Sequence, residues 1–525
     1  MLMKSLVLVA SGWLLIIAPL AAQEQAVNVR QLGAVPDGKT LCTSAIQTAI
    51  DRCSNSGGGT VLLPPGTWLS GTLFLKDNVT LYLAAGSTLL GSADPKDYPE
   101  NVAKIRSYTD TYVRQSLIAG ENLRNVAICG RGTIDGQGGQ FRLRGDGYQR
   151  RPYAIRLVGC RDVLVEDVQL RNSAMWMQHY LACDRVRVRG IRVSNHVNAN
   201  NDGLDIDGCH DFQVCDCIID SDDDAICLKA TSPRSNENVT ISNCILSSLC
   251  NALKMGTEST GGCKNLTVAN CAIHKPRPSQ RGLAGIALEI VDGGDLDRVT
   301  ISNITIDGYL SPVFLRLGNR ARPYMNGASK PAVGTFRNVI LSNIVATDAS
   351  KIGCAIAGVP GHRIENVTLS NFRCQCEGGG APGDARQKIA EKENAYPECA
   401  MFGRLPAYGL YCRHVKGLRL LNVQLAPQRP DARPAFVFDD TEDVLLDGEK
   451  PKGFSHNSLR PPPAEGLGAR TTGCASPSSR TTATSPSFRW RIMPGVRPAA
   501  FRRRLAIARP LDRYAASGFS TRSMP

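Results

Sequence analysis

Asn238-Val-Thr-Ile-Ser-Asn-Cys244 returns, 27 residues on, as Asn265-Leu-Thr-Val-Ala-Asn-Cys271, and this pair decides the fold. Each stretch alternates apolar and polar residues, the pattern of a strand with one buried face. The phrase extends in both directions. It begins as Asp162-Val-Leu-Val-Glu-Asp-Val168, Arg185-Val-Arg-Val-Arg-Gly-Ile191 and Asp211-Phe-Gln-Val-Cys-Asp-Cys217. It continues as Arg298-Val-Thr-Ile-Ser-Asn-Ile304, Asn338-Val-Ile-Leu-Ser-Asn-Ile344 and Asn366-Val-Thr-Leu-Ser-Asn-Phe372. The first apolar residues, from Val163 to Val367, are separated by 23, 26, 27, 27, 33, 40 and 28 residues. A period in the twenties, with strands and no intervening helix, predicts an all-β solenoid. The two longest gaps are one coil plus a loop insertion.

Other positions repeat in step. Asn243, Asn270, Asn303, Asn343 and Asn371 hold one place in consecutive phrases. Coils stacked about 4.8 Å apart let their amides hydrogen-bond as a ladder. Cys217, Cys244 and Cys271 share another place. Neighbouring Cα atoms would be near enough for a disulfide, but a stack of small buried thiols is the simpler expectation. Ahead of the coils, Thr43 to Cys53 has Ala45, Ile46, Ala49 and Ile50 at helical spacing, ended by the glycines 57–59. An amphipathic helix there would cap the open end of the solenoid. Residues 376–410 are rich in Gly, Pro and charge and read as a long loop.

Composition limits the classes. The 525 residues are 42% hydrophobic, too apolar for a disordered chain, and 50 Gly without a triplet period exclude collagen. Of the net charge of +14, +10 lies in residues 455–525, which carry 12 Arg, Glu465 and Asp512. The body is nearly neutral, so no basic face for nucleic acid is expected. Lys4 followed by an apolar run to Leu20 and then Ala21-Ala22-Gln23 reads as a secretory signal over 1–22. Export to the periplasm or beyond permits disulfides, and 19 Cys, an odd number, leaves at least one unpaired. Residues 23–455 would be the β-helix. Residues 456–525, with Pro-Pro-Pro, Ser/Thr runs and Arg clusters, read as a disordered tail or an altered reading frame.

Acids cluster in two successive coils. One reads Asn200-Asn-Asp202-Gly-Leu-Asp205-Ile-Asp207, the next Asp220-Ser-Asp222-Asp223-Asp224-Ala-Ile-Cys227. Asp202 lies about one short coil before Asp223 and Asp224, which puts the three on adjacent rungs. Crowded carboxyls raise at least one pKa, giving a protonated acid beside ionised bases. Glycoside hydrolysis needs that pair. A calcium site and a solvated turn are the other readings of the spacing.

Asn201-Asp202-Gly203-Leu-Asp205 with Asp223-Asp224-Ala-Ile on the next coil resembles glycoside hydrolase family 28, the polygalacturonase family. Val35-Pro-Asp-Gly-Lys-Thr40, Gly57-Gly-Gly-Thr-Val-Leu-Leu-Pro-Pro-Gly66 and Leu69-Ser-Gly-Thr-Leu73 resemble the N-terminal coil of pectin-degrading β-helix proteins. Trp176-Met-Gln-His179, Ala252-Leu-Lys-Met-Gly-Thr-Glu-Ser259, Phe314-Leu-Arg-Leu-Gly-Asn-Arg320 and Tyr396-Pro-Glu398 resemble bacterial members, and the likeness runs over about 27–450. It implies a single-stranded right-handed parallel β-helix and an inverting hydrolase. Asp223 would be the general acid, and Asp202 and Asp224 would hold and deprotonate water. Two segments depart from the family. Its Gly-His-Gly falls at Cys250-Asn251-Ala252, and its basic Arg-x-Lys falls near Ala287-Leu-Glu289.

Lys229, Lys254, Arg316 and Arg320 could supply the missing grip on a uronate, or pair with Glu258 and Glu289 on the rim. Trp176 could stack on a sugar or fill a wall. Asn201, Asp205, His179 and Asn251 complete the candidate substrate-binding set, with His179 also readable as scaffold. The expected function is hydrolysis of pectin-type polysaccharide or oligosaccharide by a secreted or periplasmic monomer. No cofactor, no metal, no nucleic acid and no membrane after signal cleavage are expected. A lyase or epimerase on the same fold and a non-catalytic carbohydrate-binding solenoid are the alternatives.

Overall fold

The computed structural model describes residues 26–111, 113–141 and 150–447, so the signal segment 1–22 and the tail 456–525 lie outside the described residues. Every strand pairs in parallel with the strand one coil later, and together they make a right-handed parallel β-helix. Three such columns of strands form the walls.

The first wall is the repeated phrase. Val163 pairs with Val186, Val186 with Phe212, Phe212 with Val239 and Val239 with Leu266. Leu266 then pairs with Val299, Val299 with Val339 and Val339 with Val367. All seven predicted pairings among these eight residues hold. The column also runs beyond them, back to Val126 and on through Leu418 to Val444. On the second wall Leu170, Val193, Ile219, Leu246 and Ile273 stack. On the third, Leu157, Tyr180, Ile206, Leu228, Met255 and Leu288 do. These inward residues are buried and form one continuous core. A charge there would have no water and no partner, which is why the alternation is strict.

The Asn ladder forms as expected. Asn270 donates to Asn243, Asn303 to Asn270, Asn343 to Asn303 and Asn371 to Asn343, at 2.8–3.4 Å. All five adopt left-handed backbone, with φ of 50–58°. Asn tolerates that region, so it turns the chain and pairs at once. A second ladder, Asn265 to Asn238 and Asn366 to Asn338, starts the same phrases. Cys217, Cys244 and Cys271 are buried free thiols, with no disulfide between them. The helix spans Thr43–Asn55 and buries Ile46, Ala49, Ile50 and Cys53 against the first coil. Residues between Gly378 and Leu410 contain one short 3-10 turn and no strand, as the composition predicts.

The long loop is fastened from beneath. Arg316 donates to the carbonyls of Gly358 and Glu391, both at 2.8 Å. Arg433 donates to the carbonyls of Lys351 and Leu405, and its guanidinium is paired with Asp431 at 2.8 Å. Among the described residues no helix is long and apolar enough to cross a membrane.

Candidate active site

On three successive coils the third wall is formed by Leu204–Asp207, Ile226–Ala230 and Asn251–Ser259. Just ahead of these strands the chain turns in from the second wall, and there the backbone rungs continue. The Gly203 N–H donates to the Asp224 carbonyl, and the Ala225 N–H to the Asn251 carbonyl, both at 2.9 Å. Asp202, Asp224 and Asn251 are thereby stacked at one corner. Gly203 is required here, because a Cβ on it would lie 2.4 Å from the Ile219 side chain and 2.6 Å from the Ala225 carbonyl.

Asp202, Asp223 and Asp224 each bring an oxygen to within 4.8 Å of the others. The structure therefore joins the three acids that the spacing placed on adjacent rungs.

Outward side chains of the third wall supply the floor. The Lys254 ammonium lies 3.0 Å from Asp224 and 3.9 Å from Glu289. The Lys229 ammonium lies 3.5 Å from Asp202, 3.4 Å from Asp205 and 3.8 Å from Glu258. Each lysine thus separates a carboxyl of the cluster from a carboxyl buried deeper. Asn251 donates its side-chain N–H to Asp224 at 2.8 Å. A calcium ion would compete with two ammoniums already seated among these carboxylates, and like charges this near disfavour it.

The environments push the acids apart. Burial lifts the Asp223 carboxyl above the ordinary carboxylate range, and the Asp224 charge adds to it. Burial works against ionised Asp224 too, but the ammoniums of Lys254 and Lys229 and the Asn251 bond more than offset it, and it sits below that range. Burial, then the charge of Asp205, raises Asp202 well above it, and burial does the same to Asp205. Burial opposes the charge on both lysines, yet their anionic neighbours hold them protonated.

Several expected substrate contacts are corrected. Asn201 is buried, accepting from the Val197 and Asn198 N–H groups and donating to the Ser173 carbonyl, so it shapes a turn. His179 is fully buried and bonds Asp207 at 3.0 Å, and burial lowers its pKa. Arg316 is 1% exposed, spends its guanidinium on loop carbonyls, and burial pulls it down to about 10. Trp176 is 4% exposed, and the Lys229 ammonium lies 4.4 Å from its ring centroid, so a cation occupies the place expected for a sugar. Asp205 and Glu289 have both oxygens buried. Arg320 is paired with Asp292 and donates to the Thr257 carbonyl. Glu258 bonds Arg322 at 2.6 Å, and although burial opposes ionisation, Lys229 and Arg322 keep its pKa low. Outward positions of a solenoid wall become interior wherever a loop folds over them, which the period alone does not reveal.

That loop adds two residues the sequence did not single out as binding. Tyr396 is 56% exposed, and its ring centroid is 5.9 Å from the Lys254 ammonium and 5.6 Å from the Arg320 guanidinium. Glu398 is half-buried, and burial and then the nearby charges of Asp224 and Asp223, only partly offset by Lys254, lift its pKa. The likeness of Tyr396-Pro-Glu398 to bacterial family members was the available signal.

Relatives share this architecture. The family profile described as "Glycosyl hydrolases family 28" matches residues 53–395. A probable polygalacturonase of Vitis vinifera is 34% identical over 224 residues, 40% of this chain and 45% of its own length. An exo-poly-alpha-D-galacturonosidase of Dickeya chrysanthemi is 30% identical over 256 residues, 39% of this chain and 42% of its own. The chain thus spans less than half the length of these curated relatives. The solved family 28 exopolygalacturonase of Yersinia enterocolitica superposes with a TM-score of 0.65 at 22% identity, over 82% of this chain and 79% of that one. The hyperthermoactive exopolygalacturonase of Thermotoga maritima gives 0.60 at 20%, over 77% and 92%. With a family profile covering most of the described coils, the chain belongs to glycosyl hydrolases family 28.

Proposed function

We propose that the chain hydrolyses glycosidic bonds in pectin-type polysaccharide or oligosaccharide. Asp223 protonates the leaving oxygen, and Asp224 holds and deprotonates the water. Asp202, paired with Asp205 across Lys229, orients that water from the other rung. The supporting observation is the opposite displacement of two sequence neighbours, Asp223 up and Asp224 down, within one cluster of 4.8 Å. Attack by water inverts the anomeric centre. A lyase or epimerase would need a neutral basic side chain at the sugar, whereas both lysines are held charged by adjacent carboxylates. The proposed site of action is outside the cytoplasm, as the N-terminal apolar run suggests.

Asp223→Asn is the direct test. Its side chain accepts only the Asp224 N–H among the described bonds, so the coil should persist. Turnover should fall by about 10²–10⁴, the usual share of a general acid, with thermal unfolding unchanged. Proton NMR of the first product from the wild-type protein should show the inverted anomer. Unchanged turnover would remove Asp223 from the acid role, and a retained anomer would make one of the clustered carboxylates a nucleophile.

A further inference from the structure

The charge inventory at the cleavage corner bears on which sugar fits there. Among the described residues, each cation around the three acids is already matched by protein carboxyls. Lys229 is shared by Asp202, Asp205 and Glu258, and Lys254 by Asp224 and Glu289. Arg320 is seated on Asp292, and Arg322 on Glu258 and Asp292. Asp223 and Glu398 then remain as further carboxyls without a cation of their own among the described ion pairs. A uronate ring would bring one more negative group, and recognition of a carboxylate calls for an available charged donor.

The unsatisfied polar atoms point the same way. Asp202 Oδ1 and Asn251 Oδ1 are buried without a hydrogen-bond donor among the described residues, in residues 2% and 1% exposed. Sugar hydroxyls can donate to these oxygens, which an ionised carboxylate cannot do. Tyr396, exposed at the edge, offers a flat face for the apolar side of a ring.

We propose that the ring bound against Tyr396 and Glu398 at the scissile bond is uncharged: a neutral sugar of a pectic backbone, or a uronate masked as its methyl ester. This rests on the hydrolase reading and refines its substrate.

The test compares initial rates of reducing-end release by the full chain on three substrates. They are polygalacturonate, highly methyl-esterified pectin and a pectic backbone alternating uronate with neutral sugar. One of the two uncharged-ring substrates should exceed polygalacturonate by at least about tenfold in kcat/KM. If it is the esterified pectin, and prior saponification removes the activity, the ester is the ligand. If it is the alternating backbone, the neutral sugar is. A preference for polygalacturonate overturns the proposal and leaves the hydrolase reading standing, whereas no cleavage of any substrate overturns both. Glu398→Lys, on the loop that faces the acid cluster, supplies a cation unmatched by a carboxyl among the described residues. It should raise kcat/KM on polygalacturonate by about tenfold, and no gain in a folded variant would refute the charge argument.

Discussion

Lys254 sets the charge state of the proposed base, and its removal should move the acid limb of the pH–rate profile. Its ammonium is 3.0 Å from Asp224. At that distance, with an effective dielectric constant of about 20, the pair interacts by about 5 kcal/mol. Asn251 still donates to Asp224 in a Lys254→Met variant, and Lys229 still contributes its charge. Loss of the Lys254 charge should therefore raise the Asp224 pKa toward and above the ordinary carboxylate range. The sign is fixed. Asp224 must be ionised to take a proton from water, so a raised pKa shifts the acid limb of kcat/KM toward higher pH. The alkaline limb, set by Asp223 as the acid, should move far less. Lys254→Arg should restore most of the original limb. The assay is initial-rate hydrolysis across pH, with thermal unfolding as the control for folding. An acid limb that stays in place in folded Lys254→Met would refute the assignment of Asp224 as base.

Other expectations test separate parts of the molecule. Tyr396→Ala should raise KM by about tenfold with little change in kcat if the ring is a sugar platform, and an unchanged KM removes it from binding. Ile241→Asp places a charge on a first-wall rung that is 1% exposed and paired with Val214 and Val268, so chemical denaturation should show a loss of several kcal/mol. The Asp431 side chain is buried against Arg433, and although burial opposes ionisation, the guanidinium and the Gly380 N–H lower its pKa to about 2. Asp431→Asn should thus cost about 2 kcal/mol at neutral pH. In the wild type that contribution is complete above the ordinary carboxylate pKa and lost as pH falls toward 2; equal stability of the two proteins at neutral pH would contradict it.

The walls were legible because a solenoid translates sequence period into space. Val163 to Val367 repeat at coil length, and each pairs with the next, since parallel strands must bury the same face on every rung. The Asn ladder and the Thr43–Asn55 helix followed from equally local rules, one of turn geometry and one of helical spacing. The gathering of Asp202, Asp223 and Asp224 was readable for the same reason, being one turn of chain apart.

What lay beyond the sequence was which outward side chains stay outward. Asn201, His179 and Arg316 occupy outward or turn positions on their coils, yet turns and the loop between Gly378 and Leu410 enclose them. That loop also carries Tyr396 and Glu398 to an acid cluster more than 170 residues earlier in the chain. Period and alternation determine what faces the core of a coil, because that depends on near neighbours. The cover over the wall, and with it the protonation of each carboxyl, depends on a distant segment whose path no repeat encodes. Only the folded chain settles it, since desolvation is a property of everything packed around a group.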